Sequence, residues 1–550
     1  MSDKITNPTD SPTPEELSHV ADLLERIAVD RSILARMPEQ ERQRLLRFAN
    51  QVALPDRGSR RKLRKEFQKK KQAELESLRQ QDRKLLNQTG IRRQYSVRQL
   101  KKAEPPHPFD DGVFEGAALT GPALTDPALT DTASAAPSTT VGETPKLNLQ
   151  RNCYTCHRAY DRVHHFYDAL CPDCAELNWA KRNQTCDLSG RYAMITGGRV
   201  KIGYQAALKL LRAGATTVVT TRFPRDGARR FIDEPDYGEW RDRLIIQGVD
   251  LRHTPSVEAL ADHLVATLPR LDFLLNNACQ TVRRPPGFYS HLLEGERQLA
   301  DSLPAEARPL LESYEQLRNQ PHATDGALND INGLVSNEHD QLTASSIAGI
   351  TKAAELSQLE LVDGDQDTSK SLFPSGQYDS DQQQIDLRDV NSWRLRLAEV
   401  STVELLEVQL VNAIAPFILN ARLKPLMTRH ASRDRHIVNV SAMEGVFYRA
   451  YKTDKHPHTN MAKAALNMLT RTSAQDYAAD GIHMNSVDTG WITDEDPAHI
   501  TDRKREELDF HPPLDLVDAA ARICDPIFSG LLTGEHAWGK FWKDYQVANW

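Results

Sequence analysis

The sequence predicts an α/β protein built on a doubly wound parallel sheet, because short apolar runs alternate with helical patterns. From Tyr192 to Thr221, an apolar run meets Gly197 and Gly198, continues with apolar residues at helical spacing, and ends after Gly214 in a β-branched run. This order is typical of strand, glycine turn, helix and strand. Such a turn presents backbone N–H groups and the positive end of a helix dipole to a phosphate. We therefore expect this stretch to hold the pyrophosphate of a dinucleotide.

Later segments continue the same alternation. An apolar run ends at Asp250, a second leads into Asn276 and Asn277, and a third from His436 ends at Ser441. A strongly helical segment follows around Lys463. These segments supply the further strands and helices that a doubly wound sheet needs.

Length and composition set broad limits. A chain of 550 residues with 39% hydrophobic residues can form two or more folded units. No apolar run reaches the roughly 18 to 20 residues of a membrane span, and the N-terminus lacks the apolar core of a secretory signal. We expect no membrane span and a cytoplasmic location, or a nuclear one in a eukaryote if residues 57–71 act as an import signal.

The N-terminal part is predicted to be helical over residues 1–103 and flexible over residues 104–150. The net charge of −7 conceals a basic arm, since residues 57–103 hold 17 Lys and Arg against 4 Asp and Glu. This arm either contacts a protein or nucleic-acid partner or is a solvated charged helix. Residues 104–150 are mostly rich in Pro, Ala, Thr and Gly, which predicts a disordered linker.

Four cysteines predict a small zinc module at residues 151–182. Cys153 and Cys156 form one pair, Cys171 and Cys174 form the other, and the spacing is C-x2-C-x14-C-x2-C. Two such turns can close a tetrahedral shell of thiolates around Zn²⁺. Four cysteines leave no open coordination position, so we expect a structural metal.

The chain from about residue 187 onward resembles the short-chain dehydrogenase/reductase family. The family's TGxxxGxG motif matches Thr196 to Gly203 with Lys201 in place of the middle glycine, and its NNAG motif is similar to Asn276 to Cys279. The segment from Met461 to Ala474 resembles the family's helix after YxxxK. The resemblance implies a Rossmann domain over residues 183–550, with a long insertion at about 281–400 that either shapes a substrate pocket or forms a docking surface.

The resemblance also implies a cofactor site. Thr220, Thr221 and Arg222 end the second strand without the carboxylate of an NAD-type site, so we expect NADP, with NAD as the alternative. The expected cofactor residues are Thr196, Gly197, Gly198, Arg199, Lys201, Ile202, Gly203, Arg222, Asp250, Leu251, Asn277, Ala278, Lys463, Thr489 and Gly490.

The catalytic residues that the resemblance implies are Asn412, Ser441 and Lys463, but the family's tyrosine is replaced by Thr459. An aliphatic hydroxyl is a much weaker acid than a phenol, so the family's proton transfer needs another donor. One alternative is an acid from the segment after Ser441, with Tyr448, Tyr451, His456 and His458 as candidates. In a second, Thr459 and Ser441 polarise the carbonyl while water supplies the proton. In a third, the domain binds NADP without catalysis.

Two functions therefore stay open. The first is an NADP-dependent oxidoreductase that acts on a carbonyl or alcohol substrate. The second is a catalytically silent NADP-binding sensor or adaptor that uses the zinc module and the basic arm to bind a partner. Aromatic residues near the C-terminus, such as Phe541 and Trp542, favour a subunit interface or a pocket wall, and we expect a homo-oligomer.

Overall fold

The structure is a computed structural model that describes residues 12–101, 145–297, 302–319, 347–379, 381–449 and 452–550. It divides into two compact units, Met1–Asp82 and Arg83–Trp550. Residues 104–144 of the predicted linker lie outside the described residues.

The first unit is helical, as the sequence predicts. Its helices are α1 Pro14–Val29, α2 Glu39–Ala53 and the larger part of α3 Arg57–Leu86. A capping box begins α1, in which Thr13 Oγ1 accepts from Glu16 N at 3.2 Å while Thr13 N donates to Glu16 Oε2 at 2.7 Å. Most of the basic residues of α3 are exposed, which suits a solvated helix and a partner surface equally.

The second unit begins with the end of α3 and includes α4 Gly90–Lys101 and the four-cysteine module. The module consists of an antiparallel pair, β1 Lys146–Asn152 and β2 Ala159–Arg162, followed by α5 Pro172–Asn183. Two predicted boundaries are wrong here. Strand β1 begins within the expected linker, and the start of α4 belongs to the module, because Ile91 is fully buried in the module's core beside Tyr160 and Phe166.

The main sheet has eight strands in the order β10-β9-β8-β7-β6-β3-β4-β5. All pairs are parallel except the terminal β9–β10 hairpin, so the predicted doubly wound sheet is confirmed. The chain order reverses between β3 and β6, and ligands bind beyond the carboxyl ends of strands at such a switch point. The strands are β3 Tyr192–Thr196, β4 Thr216–Thr221, β5 Leu244–Gly248, β6 Phe273–Asn276, β7 Arg435–Ser441, β8 Ile482–Asp488, β9 Phe541–Lys543 and β10 Gln546–Ala548.

Helices cover both faces of this sheet, and further helices lie at its edge and beside the cleft. They are α6 Lys201–Arg212, α7 Pro224–Ile232, α8 Tyr237–Trp240, α9 Thr254–Thr267, α10 Pro286–Arg297, α11 Arg308–Asn319, α12 Ala348–Thr351, α13 Thr402–Gln409, α14 Ala415–Met427, α15 Pro457–Ala479, α16 Ala498–Leu508 and α17 Leu516–Thr533. Helix α6 ends as predicted, since Gly214 follows it with a φ of +102° and a side chain there would meet Ser189.

The insertion contributes to two parts of the second unit. Helix α11 packs against the edge strand β5, where Gln247 Nε2 donates to Ser313 Oγ at 2.7 Å. Other insertion residues, including Arg283 and Tyr289, line the cleft described below. The insertion therefore covers a sheet edge and also contributes to the lining of the cleft.

One helical stretch, Thr402–Met427, is long and apolar enough to cross a membrane, judged by length and composition alone. Its inner side, with Leu419, Leu423 and Leu426, is buried in the core of the second unit. Leu406 and Phe417 of the same stretch are exposed, so its burial is partial.

Three histidines meet near the amino ends of β7 and β8. His436 is fully buried, its Nε2 lies 3.0 Å from His536 Nδ1, and the rings of His483 and His536 stack at 4.8 Å. Burial, His483 and His536 hold the pKa of His436 well below its usual value, against a smaller opposite effect of Asp434. Folding therefore keeps this ring neutral.

We expect the free energy of unfolding to decrease as the pH falls below about 6.5, because the unfolded chain then binds a proton that folded His436 does not. The slope is up to about 1.4 kcal/mol per pH unit for one such group. Urea unfolding of the second unit between pH 7.5 and 5 should show a shallower decrease in His436→Gln. The exposed His430→Gln serves as the control, and equal slopes in all three proteins would contradict the assignment.

Candidate active site

A cleft of about 1460 Å³ opens beyond the carboxyl ends of the parallel strands, at the switch point between β3 and β6. Most of the predicted cofactor residues line it. They are Gly197, Arg199, Lys201, Ile202, Gly203, Arg222, Asp250, Leu251, Asn277, Ala278, Lys463, Thr489 and Gly490. The predicted residues Thr196 and Gly198 lie beneath this surface.

The glycine turn after β3 is held in place by β4 and β6. The amides of Gly197 and Gly198 donate to Thr220 O at 3.0 and 3.1 Å. Thr196 Oγ1 accepts from the amides of Asn277 and Ala278, both at 3.0 Å. Thr196 therefore joins the ends of β3 and β6 and supports the cleft without lining it.

Lys201 adopts the backbone conformation that glycine favours. Its φ is +56°, which places it in the left-handed region, and α6 begins at this residue. The lysine thus departs from the family motif in side chain while keeping a backbone shape suited to glycine. Its ammonium group helps to hold the pKa of Glu495 below the usual range, although burial alone would raise that pKa.

Two arginines lie where the 2′-phosphate of NADP would be expected. Arg199 is buried and donates to Asp226 Oδ2 at 2.6 Å, and Arg222 donates to Tyr289 Oη at 2.7 Å. Burial would raise the pKa of Tyr289, but Arg222 and Arg284 outweigh it and lower that pKa. The Arg222 guanidinium also lies 4.6 Å from the centre of the Tyr289 ring. Tyr289, which the sequence analysis missed, therefore fixes the orientation of Arg222.

Asp250 is the nearby carboxylate at the end of β5, and it is already paired. Arg252 Nη2 lies 2.6 Å from Asp250 Oδ2. Burial would raise the pKa of Asp250, but Arg252 outweighs it, so that pKa lies below its usual range. The pairing reduces the repulsion that this carboxylate would exert on a phosphate.

Ser441 and Lys463 lie together in the cleft. Ser441 ends β7, and its buried Oγ has no hydrogen-bond partner among the residues that the structure describes. Lys463 lies on α15, where its Nζ donates to Val440 O at 2.7 Å. The pair therefore presents an unpaired hydroxyl and a fixed ammonium group at the predicted catalytic position.

Asn412 and Thr459 are buried and do not line the cleft. Asn412 lies in a π-helical turn, Leu410–Ile414, where its side chain accepts from Gln280 N at 2.7 Å and donates to Gln280 O at 3.2 Å. Thr459 lies one turn before Lys463 on α15 and is 2% exposed. Asn412 thus supports the segment after β6, and the Thr459 hydroxyl stays beneath the surface.

Of the other candidate acids, only Tyr448 lines the cleft among the described residues. Tyr448 and Lys452 lie in a loop, so their Y-x3-K spacing is not helical, while Tyr451 lies outside the described residues. His456 stacks on Trp393 at 3.9 Å, and His458 Nε2 lies 3.3 Å from Glu404 Oε1. Both histidines are buried away from the cleft surface.

Asp488 is an ionisable cleft residue that the sequence analysis did not identify as an acid. It pairs in register with Ser441 across β7 and β8, and its carboxylate accepts from Met443 N at 2.8 Å and Gly490 N at 2.9 Å. Burial and then Glu444 raise the pKa of Asp488 to about 6. The sequence signal that could have identified Asp488 is a carboxylate at the end of a segment that forms an almost entirely buried strand.

The four predicted metal-binding cysteines form one cluster. The sulfur atoms of Cys153, Cys156, Cys171 and Cys174 all lie within 4.8 Å of one another. In the described part of the chain, no histidine belongs to this cluster. The donor set and its compactness fit a tetrahedral thiolate site.

Comparison with known proteins gives matches over the parts of the chain that form the cleft. Residues 191–291 match a family model described as short chain dehydrogenase, and residues 391–515 match one described as enoyl-(acyl carrier protein) reductase. An uncharacterised protein of Acanthamoeba polyphaga mimivirus is 29% identical over 412 residues, 72% of this chain and 74% of that protein.

Two further similarities are shorter or weaker. Dehydrogenase/reductase SDR family member 13 of Bos taurus is 35% identical over 103 residues, which cover 18% of this chain and 27% of the bovine protein. The Pseudomonas aeruginosa RhlG/NADP active-site complex aligns with a TM-score of 0.38 and 17% identity, covering 64% of this chain and 94% of that one. The first matched segment contains the glycine turn and the second contains Ser441 and Lys463, so the chain is similar to these dehydrogenase and reductase models in both parts of the cleft.

Proposed function

We propose that this protein is an NADP-dependent oxidoreductase that transfers hydride between nicotinamide and a carbonyl or alcohol substrate. The observation that carries the proposal is one cleft that joins the glycine turn and Arg222 to Ser441 and Lys463. The amides at the start of α6 would hold the pyrophosphate, and Arg222 would bind the 2′-phosphate by a charge-assisted hydrogen bond. Bound NADPH would supply the hydride. Lys463 would then orient the nicotinamide ribose, and Ser441 would donate to the substrate oxygen.

The proton donor in this proposal is Asp488. Three observations support it: the carboxyl lines the cleft, it is adjacent to Ser441 in strand register, and two backbone amides fix its position. Its raised pKa suits a group that exchanges a proton near neutral pH. A buried Thr459 hydroxyl is less suitable, because it is a weak acid and lies off the cleft surface.

The four-cysteine cluster would hold a structural zinc ion. Four thiolates complete the tetrahedral shell, so the ion has no open position for substrate. The module would depend on it because its own apolar core is small. The second candidate function is the silent NADP-binding adaptor, which is favoured by the loss of the family's tyrosine at Thr459.

Nucleotide titration tests cofactor binding and preference. We expect NADPH to bind more tightly than NADH by nicotinamide fluorescence. Arg222→Ala should weaken NADPH by about 10-fold or more, because a charge-assisted bond contributes about 1.5–3 kcal/mol, and should leave NADH nearly unchanged. Lys463→Ala should weaken both nucleotides, and the exposed Arg422→Ala is the matched control. No binding of either nucleotide at millimolar concentration would overturn the proposal.

The pH dependence of turnover tests Asp488. With a carbonyl substrate found by screening, kcat/KM for reduction should fall above about pH 6, where Asp488 loses its proton, and the reverse oxidation should rise through the same pH. Asp488→Asn should remove this ionisation and slow turnover by about 10²- to 10⁴-fold. Asp494→Asn is the control, because Asp494 also lines the cleft but is paired with Lys504 at 2.9 Å. Turnover with an unchanged profile in Asp488→Asn would exclude this donor, and NADPH binding without any turnover would favour the adaptor.

Metal analysis tests the zinc site. The purified protein should contain about one zinc per chain by atomic emission, and Cys171→Ser should lose nearly all of it because three thiolates bind the ion far less tightly. The exposed Cys279→Ser is the control and should keep its zinc. Zinc retained in Cys171→Ser at the level of the control would contradict a four-thiolate site.

A further inference from the structure

The segment of residues 491–514, between β8 and α17, borders the cleft; we call it the cover. It contains α16, and residues from both of its halves, such as Trp491, Glu495 and Lys504, line the cleft. The cover starts directly after Gly490, which lies in the predicted nicotinamide-binding turn. The cover is therefore continuous in the chain with that turn.

The four-cysteine module contacts the first residue of the cover through Tyr154. This tyrosine lies in the turn between Cys153 and Cys156, and its Oη accepts a hydrogen bond from Trp491 N at 2.9 Å. Its side chain also lines the cleft. The Tyr154 amide donates to Ala169 O at 2.9 Å, which ties the tyrosine's backbone to the loop that leads to the second cysteine pair.

The module and α4 also hold the far end of the cover. Tyr95 Oη lies 3.2 Å from Ile492 O and 2.9 Å from Leu514 O, within donor distance of both ends. Arg92 Nη1 donates to Asp509 Oδ2 at 2.7 Å, and His511 Nε2 lies 2.9 Å from Asp168 Oδ2. Both ends of the cover are thus fixed to one support.

The two parts also share an apolar core. Ile492 and Leu514 of the cover are buried with Cys153, Cys171 and Tyr167 of the module. A change in the shape of the cysteine turn would therefore reach the cover through packing as well as through hydrogen bonds. This continuity distinguishes the module from a separate partner-binding domain.

We propose that Tyr154 is a positioning residue through which the metal-loaded four-cysteine module holds the cover, and with it the Gly490–Trp491 peptide, in the shape that binds the nicotinamide cofactor. The proposal rests on the proposed NADP-dependent function. It assigns the module a part in the active site, since its tyrosine supports the cleft from a turn whose shape the metal would fix.

Tyr154→Phe in the full chain tests this role, because it removes only the hydroxyl that Trp491 N–H contacts. Hydrogen exchange by mass spectrometry should be about 3- to 10-fold faster in peptides that contain Trp491 and Ile492, and NADPH should bind about 3- to 10-fold more weakly. Tyr160→Phe is the matched control, because it removes a phenol in the same module whose bond is to Asp168 O at 2.6 Å and not to the cover. Both variants should keep their zinc.

A metal-removal arm tests the coupling to the cysteine turn. Chelation of wild type should increase the exchange rate in the same peptides. The combined fold-increase in chelated Tyr154→Phe should be smaller than the product of the two separate fold-increases, because both changes act through one contact. Unchanged exchange of the cover after zinc removal would overturn the coupling. Multiplicative effects would likewise show that the metal does not act through Tyr154.

The outcomes separate this inference from the proposed function. NADPH binding that is equal in wild type and Tyr154→Phe, with unchanged exchange, overturns the role of Tyr154 and leaves the oxidoreductase proposal standing. Failure of wild type to bind either nucleotide overturns the oxidoreductase proposal and the cofactor part of this inference. In that case, faster exchange of the cover in Tyr154→Phe than in wild type would still support the contact by which Tyr154 positions the cover. Equal exchange in the two proteins would reject it.

Discussion

The close approach of α6 to the end of β3 is the constraint on which the cleft depends. A Cβ atom at Gly203 would lie 2.2 Å from Gly197 O and 2.5 Å from Asn277 Nδ2, so only glycine permits this contact. The contact brings the positive end of α6 to the switch point of the sheet. Lys201, two residues before Gly203, has a left-handed conformation, which costs a non-glycine residue about 1 kcal/mol or more. The shape of the turn that we expect to bind phosphate thus depends on packing one turn away.

A chain of buried ion pairs connects this site to the insertion. Arg252 bridges Asp250 and Glu407 at 2.6 and 2.7 Å, and Arg283 bridges Glu407 and Asp365 at 3.1 and 2.6 Å. Loss of one partner would leave an uncompensated buried charge, which is strongly destabilising. The insertion is therefore connected through ion pairs to Asp250, the carboxylate that borders the expected adenine site.

Local motifs could be predicted from the sequence, whereas contacts between distant residues could not. The glycine turn and each cysteine pair depend on spacings of a few residues, so these patterns can be recognised in the sequence itself. The contacts of Arg222 with Tyr289, and of Tyr154 with Trp491, join residues far apart in the chain and have no such pattern. The boundary at β1 was missed for a related reason, since Leu147 is buried against Leu86 and Val163 only once the module has formed.

In the proposed function, the expected replacement of the tyrosine by Thr459 and the proposed acid Asp488 concern the same chemical requirement. A phenol on α15 could extend from the helix into the cleft, but a threonine hydroxyl stays beside its own backbone, where it is buried. In the proposed reaction a proton donor would have to come from another wall of the cleft. Strand β8 offers a carboxyl that accepts from Gly490 N, next to the Trp491 amide that donates to Tyr154. Asp488 and Tyr154 thus fix adjacent amides of one peptide segment. Under the proposed function, a change that loosens the cysteine turn should therefore disturb Asp488 as well as the expected cofactor site. The four-cysteine module would then affect the same proton transfer that Thr459 cannot perform.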